Sequence, residues 1–282
     1  MTSAEDTDPP IPRRRLKLWV GLGAAVLVGA QGATAAAQPA PARDMSAGGE
    51  GGEGGEGGEG GEGGEGGVDA GRARTDPVAF LVALDVMAAH YIAGRDMHRA
   101  GRHAPAAEMF AHGMSEVYVE IEDVLAARGV PPFGAAMERA VALVLDNAPP
   151  GEVTAAADAV LAALDAAEAK APPPGPALDV RLRVAAEMAD RAALQFAAAI
   201  RQPDADEPYL DGYGFSRVVT GRAQRLLPEL AAAGRTEEAA LLRRMLPLLE
   251  AAFPAPLRPS PMPAVEPGAL LGAASRLKLA AS

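Results

Sequence analysis

The sequence predicts an all-α fold: an up-and-down bundle of some six to eight antiparallel helices, following a disordered N-terminal region. Three observations carry this. The 282 residues are 49% apolar but only 4% aromatic, and the apolar share is dominated by Ala, the strongest helix former and a poor strand former. No segment alternates polar and apolar residues with period two for long. The chain from Asp76 onward breaks into helix-length stretches separated by short Gly- and Pro-marked connections, which favour antiparallel neighbours.

Residues 1–37 read as an export signal or membrane anchor. Arg13, Arg14, Arg15 and Lys17 precede an apolar run from Leu18 to Ala30, and small residues follow, with cleavage expected near Ala35 or Ala37. The basic run weakly resembles a twin-arginine signal, which implies export after folding. If the segment stays uncut, Leu18–Ala37 serves as an anchor and is the only contact with a membrane. Both outcomes place the rest of the chain in the periplasm, free or facing it from the inner membrane.

Residues 38–75 form a Gly/Glu-rich linker. Gly48–Gly67 is a perfect Gly-Gly-Glu repeat. Glycine maximises backbone freedom and the spaced carboxylates repel one another, so the stretch cannot pack a core.

The bundle domain spans 76–255. Asp76-Pro77 starts its first helix, with Asp as cap and Pro at the first helical position. Phe80, Leu84, Met87 and Tyr91 then recur at helical spacing, up to a break at Ala100-Gly101-Arg102. Pro105 opens a second helix whose stripe is Phe110, Met114, Val117, Ile121 and Val124 or Leu125, ending at Gly129. Helices follow at about 133–147 and 152–169. Asp179 is the expected cap of a long fifth helix reaching Ile200. The acidic stretch QPDADEPYLDGYGF reads as a loop. The sixth helix runs about 215–233, and Thr236 caps the seventh, 237–253, in which Pro247 should kink or end the last turns. Residues 256–282 are a Pro-rich connector and a short C-terminal helix.

Charge and composition exclude several functions. The net charge is −11; residues 1–37 carry +1, so the remainder carries −12. A chain so acidic, without a basic stripe, is not a nucleic-acid binder, which must neutralise phosphates. With no Cys, thiolate catalysis, Cys-ligated zinc and iron–sulfur clusters are excluded. No nucleophile–base pair, P-loop or dinucleotide fingerprint is visible, so a binding protein without turnover is expected rather than an enzyme.

All four histidines, His90, His98, His103 and His112, fall between 90 and 112. If the first two helices form a hairpin turning at Gly101, His90 and His112 are level, each eleven residues from the turn. Glu108 and Glu116 flank His112 by one turn on either side. Inward His and acidic residues at helical spacing are how bundles hold metals. Two imidazoles and a carboxylate suit iron or copper, and thioethers at Met87, Met97, Met109 and Met114 would favour Cu(I). The competing reading is a solvated polar face. With Phe110 at zero, His112 and Glu116 lie at about 200° and 240° on the helical wheel, and converge on a site only if another helix covers that face. His98 shares the angle of Phe80 and reads as a boundary residue; His103, beside the turn, reads as exposed. Likewise the 202–215 loop is either solvated, or brings Glu207, Tyr209 or Asp211 over the hairpin.

LDVMAAHYIAGRDMHRAGRHAPAAEMFAHGMSEVYVEIEDVLAARGVPPF and EPYLDGYGFSRVV together resemble an uncharacterised family of exported all-helical proteins of Gram-negative bacteria. Its first-helix His is matched by His90. Its His-x-x-His-Pro-x-x-Glu-x-Tyr run is matched at His112, Glu116 and Tyr118, with Met109 in place of the first His and Gly113 in place of the Pro. Its Tyr-x-Asp-x-x-Gly-Phe run is matched at Tyr209, Asp211, Gly214 and Phe215. The section from AAEMFAHGMSEVYVEIEDVLAARG through LDAAEAK, Ala106–Lys170, is also loosely similar to the extracytoplasmic helical region of high-affinity iron permeases and to imelysin-type periplasmic proteins, the resemblance as a whole covering about residues 80–220. That likeness implies iron uptake, with an envelope metal transporter or another periplasmic protein as partner. The expected ligands are thus His90, His112 and Glu116, with Met109 or Tyr209 as auxiliaries. The alternative is a metal-free scaffold or interaction module of the cell envelope.

Overall fold

A computed structural model describes residues 68–282. The expected export segment and the Gly-Gly-Glu repeat lie outside the described residues. Those described contain helices and no strand. In chain order the helices are α1 (Ala70–Ala73), α2 (Pro77–Arg99), α3 (His103–His112), a π-helical turn (Gly113–Tyr118), α4 (Val119–Ala127), α5 (Gly134–Leu145), α6 (Pro150–Glu168), α7 (Leu178–Arg201), α8 (Glu207–Ala232), α9 (Thr236–Ala252) and α10 (Pro267–Ala281). The segment α3–π–α4 runs as one uninterrupted helix, 103–127.

Helix α2 is the core of the bundle. Asp76 caps it, its Oδ1 accepting from the backbone N–H of Val78 (2.8 Å) and Ala79 (3.3 Å). Phe80, Leu81, Val86, Met87 and Tyr91 have no exposed surface, each contributing about 1.5–3 kcal/mol by burial. The helix is long and apolar enough to cross a membrane, yet 72% of that apolar window is buried within the bundle, as a core helix requires. It packs against α3 by the Gly101 hairpin, and against α6, α7 and α8. Helices α7 and α8 form the most extensive pair, and α10 lies on α7 and α9.

The ends of the domain differ from the sequence-based expectation. Helical structure begins before Asp76: α1 falls in the stretch expected to be linker, with Ala73 fully buried. The C-terminal helix is part of the bundle, since Leu270, Ala274 and Leu277 are fully buried.

Three internal expectations are also corrected. The acidic stretch is not a loop through Phe215, because α8 starts at Glu207. Pro208 suits a first helical turn, which has no N–H to lose there. Pro247 does not end α9, which continues to Ala252; fully buried Leu249, Ala252 and Phe253 hold its last turn. Asp179 and Thr236 lie inside the first turns of α7 and α9 rather than at their caps, which are Ala177 and Arg235.

One charged pair is built into the core. Arg222 of α8 holds Asp85 of α2 in a two-bond clamp, its Nη2 donating to Oδ1 at 2.7 Å and its Nε to Oδ2. Its Nη1 donates to Glu168 of α6 at 3.2 Å. Arg222 is 4% exposed and Asp85 7%, and the two carboxylates keep the guanidinium charged.

Candidate metal centre

The centre lies where α2, the α3–π junction and the first turns of α8 meet. His90 sits on α2 and is 5% exposed. Its Nδ1 lies 2.7 Å from the Val86 carbonyl oxygen. A carbonyl only accepts, so Nδ1 carries the proton and Nε2 keeps its lone pair while the ring is neutral. Burial, the largest influence on this ring, disfavours the imidazolium and keeps it neutral at a lower pH than an ordinary histidine. A backbone carbonyl fixing Nδ1–H in this way is the usual orienting contact of a metal-binding histidine.

Nε2 of His90 faces Oδ1 of Asp211, 3.8 Å away. That oxygen is buried and has no hydrogen-bond partner. Two acceptors thus face each other with no hydrogen between them. Burial raises the Asp211 pKa to about 7, with Glu207 and Glu116 adding to the rise and His112 opposing it. No Arg or Lys is among the groups that act on it. The arrangement is one that a cation or a proton completes.

His112 ends α3 and keeps 29% of its side chain exposed. Its Nδ1 is 4.0 Å from Glu116 Oε1 and 3.9 Å from Glu207 Oε1. The His90 and His112 rings lie 6.3 Å apart, inclined by 75°. His90, His112 and Glu116 each offer one donor atom, and these atoms lie within 4.8 Å of one another. An ion bound at 2.0–2.2 Å draws its ligands to about 3–3.6 Å from each other, so small side-chain rotations would close the set. His112 and Glu116 are half-buried, which adjusts the polar-face reading: α8 supplies the cover that convergence requires.

Close helix approach makes this possible. Gly113 follows His112, and a Cβ there would come within 3.2 Å of His90 Cβ and Tyr91 Cε2. Gly214 of α8 lies against α2, where a Cβ would be 2.5 Å from the Ala89 carbonyl oxygen. The π turn begins at Gly113 and contains Glu116; such wide turns are rare and concentrate at functional sites.

The auxiliaries fare differently. Along α8, Glu207 and Asp211 are four residues apart and share a face, while Tyr209 is on the opposite one. The Tyr209 hydroxyl donates to the Ala255 carbonyl at 2.8 Å and its ring lies 5.4 Å from that of Phe253. Tyr209 is therefore corrected from auxiliary ligand to core residue. Met109, one turn before His112, is 2% exposed and has the place of a core side chain. Glu108 is exposed and does not join the cluster. Tyr118 donates to Glu122 at 3.3 Å and packs on Phe133. The sequence offered Asp211 and Glu207, with Tyr209, as residues of a loop closing over the hairpin; their four-residue spacing becomes a signal that separates them from Tyr209 once the segment is helical.

No family model, curated protein or solved structure matches this chain.

Proposed function

We propose that the protein binds a transition metal at the α2–α3–α8 junction, as an uptake or handling protein of the cell envelope without turnover. The observation that carries the reading is the facing pair of acceptors, His90 Nε2 and the unpartnered Asp211 Oδ1, beside His112 and Glu116. His90, His112 and Glu116 are the ligands, with Asp211 completing the set and Glu207 at its exposed edge. Two imidazoles with carboxylates and open positions suit ferrous iron.

The envelope location rests on the export-type segment 13–37, and an iron-transport partner on the loose likeness to iron permeases. Anaerobic Fe(II) titration of the chelator-treated full chain tests the site. One equivalent is expected, and His112→Ala and Glu116→Gln should each weaken it at least about tenfold. Unchanged stoichiometry and affinity in both variants would refute the reading.

A further inference from the structure

The remaining two histidines are also paired across the α2–α3 hairpin. His98 is three residues before Gly101 and His103 two after it, so they are level in the antiparallel hairpin, as His90 and His112 are. Their ring centroids are 4.5 Å apart and the planes are nearly perpendicular, at 88°. His98 is 2% exposed, and neither of its ring nitrogens has a hydrogen-bond partner. His103 is exposed.

Edge-to-face packing of two rings explains their contact but not the two enclosed nitrogens. A neutral imidazole has one donor and one acceptor, and leaving each unsatisfied costs about 1–3 kcal/mol. Buried groups of this kind call for a missing partner such as a water or an ion. The enclosed His98 nitrogens lie beside a second imidazole, the pairing an ion would use. With a metal–nitrogen bond of about 2.0 Å, a ring centre lies about 3.1 Å from the metal, so two imidazoles at an N–metal–N angle of about 90° stand about 4.4 Å apart. The observed 4.5 Å fits that as well as it fits edge-to-face packing, so the unpartnered nitrogens carry the argument.

We propose that His98 and His103 form a second transition-metal site at the hairpin turn, taking a borderline divalent ion such as copper(II) on two adjacent imidazoles. The site is neutral in its donors and lacks the carboxylates of the first centre. It therefore has the preference of an imidazole-only site, strongest for copper(II) among the first-row divalent ions. His103 is exposed, and rotation of its side chain about its own bonds would admit the ion. Along α2, eight residues separate the two rungs, about 12 Å, so the two ions would bind as distinct equivalents. The two centres share no side chain, and this site does not depend on the first.

Copper(II) titration of the chelator-treated full chain tests the proposal, comparing wild type, His103→Ala and His112→Ala. His103 is exposed, so its replacement leaves the fold intact. Copper bound elsewhere is common to all variants and cancels in the differences. Expected is the loss of one equivalent, or a weakening of about tenfold or more, in His103→Ala, with the Fe(II) site unaffected. Substoichiometric copper(II) should also broaden the His98 and His103 ring proton signals in wild type. Copper binding unchanged in His103→Ala, with those signals left sharp, would overturn this second site and leave the first standing. Loss confined to His103→Ala is the result expected of the second site, and leaves the first to be decided by its own Fe(II) titration.

Discussion

The Asp211 carboxylate lies 3.8 Å from His90 Nε2 with one oxygen buried and unpartnered, so the metal-free protein carries an electrostatic defect at its centre. Asp211 has a folded pKa of about 7 against a reference of 3.8. The folded state therefore holds the Asp211 proton more tightly than the unfolded chain does. The stability this gives is fully present below about pH 3.8 and is lost as pH rises through about 7. Asp211→Asn should leave metal-free stability near that of wild type at pH 4 and raise it by about 2–4 kcal/mol at pH 8. Denaturant midpoints at the two pH values check this. Saturating Fe(II) should remove the advantage, because the variant loses a proposed ligand.

His90 acts in the opposite sense. Burial lowers its folded pKa below 6.5, so the stability it contributes is present above pH 6.5 and lost as pH falls below it. His90→Gln should flatten this acid-side loss in metal-free protein, read from thermal midpoints between pH 7 and 5, while abolishing tight Fe(II) binding.

The two contact glycines should differ in cost. A Cβ at Gly214 meets backbone, the Ala89 carbonyl oxygen at 2.5 Å, whereas one at Gly113 meets the side chains of His90 and Tyr91 at 3.2 Å. Gly214→Ala should destabilise by about 1–3 kcal/mol and weaken Fe(II) binding by moving α8 off α2. Gly113→Ala should cost less in stability. Equal urea midpoints for the two variants would contradict this ordering.

Arg222→Met leaves Asp85 buried without its partner and should cost about 3–5 kcal/mol. Adding Asp85→Leu should recover most of that loss, since the double variant buries no charge. A double variant as unstable as the single would show that the ion pair itself, rather than the stranded carboxylate, sets the cost.

Tyr209→Phe removes one hydrogen bond, to Ala255, and should cost about 0.5–1.5 kcal/mol. Fe(II) affinity should not change. A tenfold loss would return Tyr209 to the ligand set.

The helical architecture was legible because it rests on local chemistry: Asp76-Pro77 caps α2 as its sequence implies, and the stripe Phe110, Met114, Val117, Ile121 is buried throughout. Counting outward from Gly101 placed His90 and His112 near one another. The start of α8 was not legible. Pro208, Gly212 and Gly214 read as loop residues by propensity, and only tertiary contact explains them: a Cβ at Gly212 would strike Phe253, and one at Gly214 would strike Ala89. With that helix missed, Asp211 and Glu207 could not be assigned to one face. The Asp85–Arg222 clamp joins residues 137 positions apart, and its only local trace is an acid in the middle of an apolar helix. The π turn has no sequence signature here, since GMSEVY is compatible with an ordinary helix.

That wide turn has a consequence for how the chain tolerates change. A π turn accommodates one more residue than an α turn in the same span, so 103–127 carries, in effect, a one-residue insertion stored between two regular coils. Deleting a single residue within 113–118 would shorten the rod without unthreading it: Phe110 on one side and Ile121 on the other would keep their places against the core. What would be lost is the phase of Glu116 relative to His112, separating the capacity to fold from the capacity to hold an ion.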